Sequence, residues 1–121
     1  MFTRGGMSQY LAVVDDDASV RKALAVLLCA CGFASRTFAS AGEFLAVLPS
    51  GMPDCLITDL EMPEMNGLDL QRELSRRGVR IRTVVITGND CERYREQCRD
   101  LGVAAYLVKP VGCDALIAAI S

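Results

Sequence analysis

Short β-branched runs separated by longer stretches with helical spacing recur five times along the chain, and that alternation constrains its fold more than any other feature. The runs are Leu11-Ala12-Val13-Val14, a weaker one over residues 35–38, Cys55-Leu56-Ile57-Thr58, Thr83-Val84-Val85-Ile86 and Ala105-Tyr106-Leu107-Val108. Several lack apolar/polar alternation, as parallel strands covered on both faces do. After the first run, Val20, Ala23, Leu24, Leu27 and Leu28 fall at i, i+3, i+4, i+7 and i+8, the apolar stripe of a helix that Gly32 then stops. Residues 40–48, 68–77, 91–101 and 114–120 supply four more helical patterns, punctuated by Asn66-Gly67, Gly78, Gly102 and Gly112. Right-handed crossovers turn five such βα units into an α/β fold with a doubly wound, five-stranded parallel sheet. Ligands bind such sheets beyond the carboxyl ends of the strands, so function is sought there.

Composition narrows the class. A chain of 121 residues with 51% apolar side chains buries roughly two thirds of its unfolded surface, enough for one core without staples. Residues 23–35, the longest uncharged stretch, are too few to span a bilayer at about 1.5 Å of rise per residue, so no membrane partner is expected. Residues 1–10 carry Arg4 with no apolar segment behind it; no secretory signal is read there, and the expected location is cytoplasmic. The six cysteines form no Cys-x-x-Cys pair and read as reduced, small apolar fillers, with Cys29 and Cys31 on different helix faces. The absence of histidine rules out Ser-His and Cys-His catalysis. With 13 Lys plus Arg against 15 Asp plus Glu, the net charge of -2 speaks against nucleic acid bound by this chain itself. The cluster Arg76, Arg77, Arg80 and Arg82 reads as a solvated rim.

The residues that follow the runs are polar at one edge of the sheet: Asp15, Asp16 and Asp17 after the first, Asp59 after the third, Thr87 after the fourth and Lys109 after the fifth. Asp17 by itself reads as a helix cap before Ser19-Val20. The set reads differently. Two carboxylates about 4 Å apart repel by roughly 4 kcal/mol at an effective dielectric of 20, and one lysine does not neutralise three of them. A hard divalent cation is expected there, and an incomplete oxygen cage that leaves room for water and a phosphate oxygen suits Mg2+. A cation, a lysine and a hydroxyl around one carboxylate are what phosphoryl transfer onto that carboxylate needs.

Four ordered motifs carry a family resemblance: Val13-Val14-Asp15-Asp16-Asp17, the stretch Ile57-Thr58-Asp59-Leu60-Glu61-Met62-Pro63-Glu64-Met65-Asn66-Gly67, Ile86-Thr87-Gly88 and Leu107-Val108-Lys109-Pro110. Together they resemble the receiver (CheY-like) domain of bacterial two-component response regulators. The segments Asp15-Asp16-Asp17-Ala18-Ser19-Val20-Arg21 and Thr37-Phe38-Ala39-Ser40-Ala41-Gly42-Glu43-Phe44-Leu45 are similar to FixJ-type receivers. The resemblance implies a flavodoxin-like sheet of order 2-1-3-4-5. It implies that Asp59 accepts a phosphoryl group from a sensor histidine kinase, a histidine phosphotransfer protein or a small phosphodonor. Asp15, Asp16, Asp59 and the main-chain carbonyl of Glu61 would hold Mg2+, with Pro63 and Gly67 shaping the loop that turns that carbonyl inward. Lys109 would pair with the aspartate and then with a phosphate oxygen, Thr87 would donate its hydroxyl, and Tyr106 would change rotamer as the switch closes. Glu61 and Asn89 correspond to positions that tune the lifetime of the phosphoryl group. The Lys109-Pro110 bond resembles the family's cis peptide. On this reading residues 1–9 are an N-terminal extension and residues 10–121 the receiver domain, with no enzyme activity beyond self-catalysed phosphorylation and dephosphorylation.

Two rivals stand beside that reading. Asp15-Asp16-Asp17-Ala18-Ser19 loosely resembles the nucleophile motif of haloacid-dehalogenase-type phosphatases, which need a further acidic pair after the lysine; only Asp114 follows Lys109. The other rival is a receiver-like interaction module that is never phosphorylated. Two helices carry further expectations. The apolar stripe Cys91, Tyr94, Cys98 and Leu101 has just two large side chains, which predicts a weakly anchored helix suited to movement. The apolar end over residues 116–120 is expected either to be truncated or to dock; left exposed, it would point to continuation into a further segment or to self-association, with a homodimer through the fourth and fifth helices implied by the resemblance.

Overall fold

Five parallel strands, β1 (Leu11–Val14), β2 (Ser35–Phe38), β3 (Cys55–Asp59), β4 (Arg82–Thr87) and β5 (Ala105–Val108), form one sheet in the computed structural model, which describes residues 10–121. The order is β2-β1-β3-β4-β5. The helices between and after them are α1 (Ala18–Ala30), α2 (Ala41–Val47), α3 (Gly67–Arg76), α4 (Glu92–Asp100) and α5 (Cys113–Ile120), with a single 3-10 turn at Leu48–Ser50. The expected extension over residues 1–9 lies outside the described residues.

The pleat divides the strand side chains between two layers. Leu11, Val13, Cys55, Ile57, Val84 and Ile86 point to one face, where they pack with Leu24 and Leu28 of α1 and Leu116 and Ile120 of α5. Ala12, Val14 and Leu56 point to the other and meet Phe44 of α2 and Leu70 and Leu74 of α3. A smaller group, Leu60, Leu68, Val85 and Cys98, holds α4 against the same side as α3. Burial on both faces is why the runs are continuously apolar.

Local chemistry sets the boundaries. Asp17 caps α1, its Oδ1 accepting the Ser19 N–H at 2.8 Å. Ser40 caps α2, and Asn66 and Asp69 form a capping box on α3. No helix among the described residues is long and apolar enough to cross a membrane.

Two expectations change in detail and one open choice closes. β3 and β4 each run one residue further than their apolar runs, so Asp59 and Thr87 end strands rather than follow them. The apolar end of α5 docks, with Leu116 and Ile120 buried and the Arg82 guanidinium donating to the Ala119 carbonyl at 3.0 and 3.2 Å. Arg82 stays on the exposed rim, as its cluster suggested, and ties the end of α5 from there. Among the cysteines, only Cys55 and Cys98 are buried fillers; Cys29, Cys31 and Cys113 are exposed, because they lie on helix surfaces that the two layers leave open.

Candidate functional site

β1 and β3 are neighbours at the point where the sheet order reverses, and their carboxyl ends deliver Asp15 and Asp59 to one crevice. Asp15 is fully buried and heavily engaged. Its Oδ1 accepts the Asp17 N–H at 2.9 Å, its Oδ2 lies 3.1 Å from Lys109 Nζ, and its carbonyl accepts from Arg21 Nη1 at 2.7 Å. Lys109 also reaches Asp59 Oδ1 at 3.4 Å, so one ammonium bridges both carboxylates. A cis peptide joins Lys109 to Pro110, as the resemblance implied.

Asp59 is 5% exposed, while Asp16 beside it is open to solvent. Oxygen atoms from Asp15, Asp16 and Asp59 lie within 4.8 Å of one another. Burial, then the charge of Asp15, pushes the Asp59 carboxyl up to about 6, against the opposing pull of Lys109 and of the Glu61 backbone N–H. The lysine therefore does not compensate the cluster. A carboxylate held in such deficit, among hard oxygen donors with an open side at Asp16, fits a small divalent cation. Asp17 faces its own helix and stands outside the cluster.

Thr87 ends β4, fully buried, and its Oγ1 accepts the Asn89 N–H at 3.0 Å. Over the mouth of the crevice, Asn89 Nδ2 donates to Glu61 Oε2 at 3.2 Å, linking the two side chains that lie two residues beyond Asp59 and Thr87. Gly67 closes the β3–α3 loop from below: its N–H donates to the Leu60 carbonyl at 2.8 Å, and a Cβ there would stand 2.7 Å from the Asp59 carbonyl oxygen. Tyr106 is half-buried in β5 and stands off from the acidic cluster, its hydroxyl accepting the Cys91 N–H at 3.3 Å.

Three contributors had no role in the sequence reading. Arg21 holds the Asp15 carbonyl from one turn inside α1. Arg95 lies over the Tyr106 ring at 4.7 Å and pairs with Asp90 at 2.9 Å. Asp90 and Arg95 straddle the start of α4, so the pair has no i,i+4 signature to read. A cleft of about 520 Å3 lined by Gln71, Ser75, Arg80 and Leu101 among others opens at the amino ends of the strands and holds none of these groups.

A doubly wound parallel sheet with an acidic, cation-fitting pocket at its switch point defines the class. The chain belongs to the response regulator receiver domain family, whose family model matches residues 11–121. It is 39% identical over 111 residues to the transcriptional regulatory protein FixJ of Azorhizobium caulinodans, covering 89% of this chain and 51% of that protein. The crystal structure of FixJ-N superposes with a TM-score of 0.84 at 36% identity, covering 94% of this chain and 92% of that one. Full-length FixJ from B. japonicum gives a TM-score of 0.85 at 30% identity, with 94% of this chain and 56% of that one covered. This chain spans about half the length of the FixJ relatives it matches. It is a receiver domain of two-component response regulators, a regulatory family whose members are phosphorylated by histidine kinases. The phosphatase reading falls with that assignment; Asp114, the one carboxylate after Lys109, lies in the first turn of α5 and outside the acidic cluster.

Proposed function

We propose that Asp59 is the phosphoacceptor of this receiver and that Asp15, Asp16, Asp59 and the Glu61 carbonyl hold the Mg2+ that supports transfer. The observation that carries the reading is the convergence of a buried, proton-attracting carboxylate, two further acids within 4.8 Å and a bridging lysine on one crevice. A bound Mg2+ supplies positive charge for the phosphoryl oxygens. The residues do the rest. An Asp59 carboxylate oxygen attacks phosphorus in line; the bond to the donor nitrogen or oxygen breaks, and the donor leaves with the bonding pair. Lys109 exchanges part of its pairing with Asp59 for a phosphoryl oxygen. Thr87 turns its hydroxyl from the Asn89 backbone to another, which draws in the β4–α4 loop.

Tyr106 follows that movement as a two-state element, because the phosphoryl group adds contacts present only in the closed arrangement. Its hydroxyl bond to the Cys91 N–H and the Arg95 stack hold one of those states. Glu61 and Asn89 stand where water reaches the acyl phosphate, and their mutual bond makes both candidates for setting its lifetime. The donor is a sensor histidine kinase or a histidine phosphotransfer protein in the cytoplasm, and α4 and α5 provide the face for a homodimer. The domain assignment is residues 10–121, with residues 1–9 as an extension.

Intact-mass measurement after acetyl phosphate tests the reading. One phosphoryl addition that requires Mg2+ and is lost in Asp59→Asn is expected. No addition under any condition, with no spectral response to Mg2+ and beryllofluoride, would leave an interaction module that is never phosphorylated.

A further inference from the structure

The Cys31 and Cys113 sulfurs lie 3.9 Å apart although 82 residues separate them in the chain. Cys31 follows the last turn of α1 and Cys113 opens α5, and both are exposed. Their approach is fixed from beneath. Leu28, one turn before Cys31, and Leu116, one turn after Cys113, are fully buried in the same cluster, which brings the end of α1 and the start of α5 together on one face of the sheet. Cys29, two residues from Cys31, is exposed as well but makes no such approach among the contacts described.

We propose that Cys31 and Cys113 form a reversible disulfide, making this pair a redox modification site driven by peroxide. Contact with Cys31 raises the pKa of the Cys113 thiol, which keeps a neutral thiol beside its partner. A thiolate beside a neutral thiol is the arrangement the chemistry uses. The thiolate attacks one peroxide oxygen, the O–O bond breaks, and a sulfenic acid forms as hydroxide leaves and takes up the proton that the thiol had shed, becoming water. The second thiol then attacks the sulfenic sulfur, losing its proton as a second water departs. Two thiols lose two electrons in total, and hydrogen peroxide gains them. A dithiol reverses the step by exchange. In a reducing compartment such a bond is transient rather than structural. Oxidation ties the end of α1 to the start of α5, four residues beyond Lys109. This site is independent of the phosphoryl reading, since neither sulfur belongs to the acidic crevice.

The test oxidises the reduced chain with hydrogen peroxide, blocks free thiols with iodoacetamide and maps the peptides. The expected product is a monomer lighter by two hydrogens, blocked at two fewer sites, with the peptide over residues 23–36 linked to the one containing Cys113. Its melting temperature is expected to rise by about 10 °C, because the bond closes a long loop in the unfolded chain, and dithiothreitol should restore the starting value. Cys29→Ser should keep the link, and Cys113→Ser should leave a sulfenic acid that dimedone captures at Cys31. A link through Cys29, a product that is mainly intermolecular, or two unlinked thiols in the unsubstituted chain overturns the proposal, and that last map requires no variant to fold.

Discussion

At Asp59, stability and the proposed phosphoacceptor role pull in opposite directions. Its pKa of about 6 lies above the ordinary value of 3.8, so between these two pH values the folded chain binds more protons than the unfolded one. Stability from this group is complete below about pH 4 and is lost as pH rises through about 6. Asp59→Asn is therefore expected to stabilise the metal-free chain by about 1–3 kcal/mol at pH 8 and to flatten the fall between pH 4 and 6. Urea unfolding at a series of pH values measures both; a variant less stable than the parent at pH 8 would contradict the assigned strain. Gly67 works by size. With the Asp59 carbonyl 2.7 Å from any added Cβ, Gly67→Ala forces the loop away from β3 and is expected to cost about 1–3 kcal/mol in the same assay. Both residues were visible in the sequence, Asp59 as an acid at the end of an apolar run and Gly67 as turn punctuation. The close approach that makes Gly67 necessary was not, because it is set by the seat of α3 on the sheet rather than by any neighbour in the chain.

Among the elements, α4 stands apart. It buries only Cys98, lacks a side-chain N-cap and adds to its apolar contact just half-buried Tyr94 and Leu101, whereas α1 buries Leu24 and Leu28 beneath an Asp17 cap. Amide hydrogen exchange is expected to be at least tenfold faster in the middle of α4 than in the middle of α1 under native conditions. Equal protection would mean that α4 is held by more than its sparse stripe. The sparse stripe was legible in the residue spacing, because apolar periodicity reports how much a helix can bury. The contacts of Tyr106 with the Cys91 N–H and with Arg95 were not, since they join β5 to α4 across the sheet edge. Helix α5 shows the opposite limit: its composition left docking open, and the structure buries Leu116 and Ile120 against the sheet while Arg82 binds the Ala119 carbonyl from the start of β4.

For the molecule as a whole, the βα alternation made the sheet and its crevice edge readable, because local periodicity and right-handed crossovers leave few arrangements. The separations inside the crevice had to come from the packed sheet. They bear on ligand response: relief of the crowded carboxylates predicts that Mg2+ stabilises the chain, by about 2.7 kcal/mol at a hundredfold excess over its dissociation constant. A thermal melt at pH 7.5 with increasing Mg2+ should show the midpoint climbing. Asp16→Asn, which alters an exposed carboxylate of the cluster and leaves the core intact, should shift the climb to higher concentration. An unchanged titration in that variant would remove Asp16 from the ligand set.

Asp59 and Thr87 end their strands still in register with Ile86 and Val108, while Asp16, Glu61 and Asn89 ride on the loops beyond. The carboxylate proposed to react and its proposed hydroxyl partner are thus mounted on the stiff frame, and the groups proposed to govern access are mounted on replaceable fittings. Substitutions in those fittings leave the frame standing, so the duration of a signal is free to diverge between descendants of such a chain without a fresh solution to the folding problem.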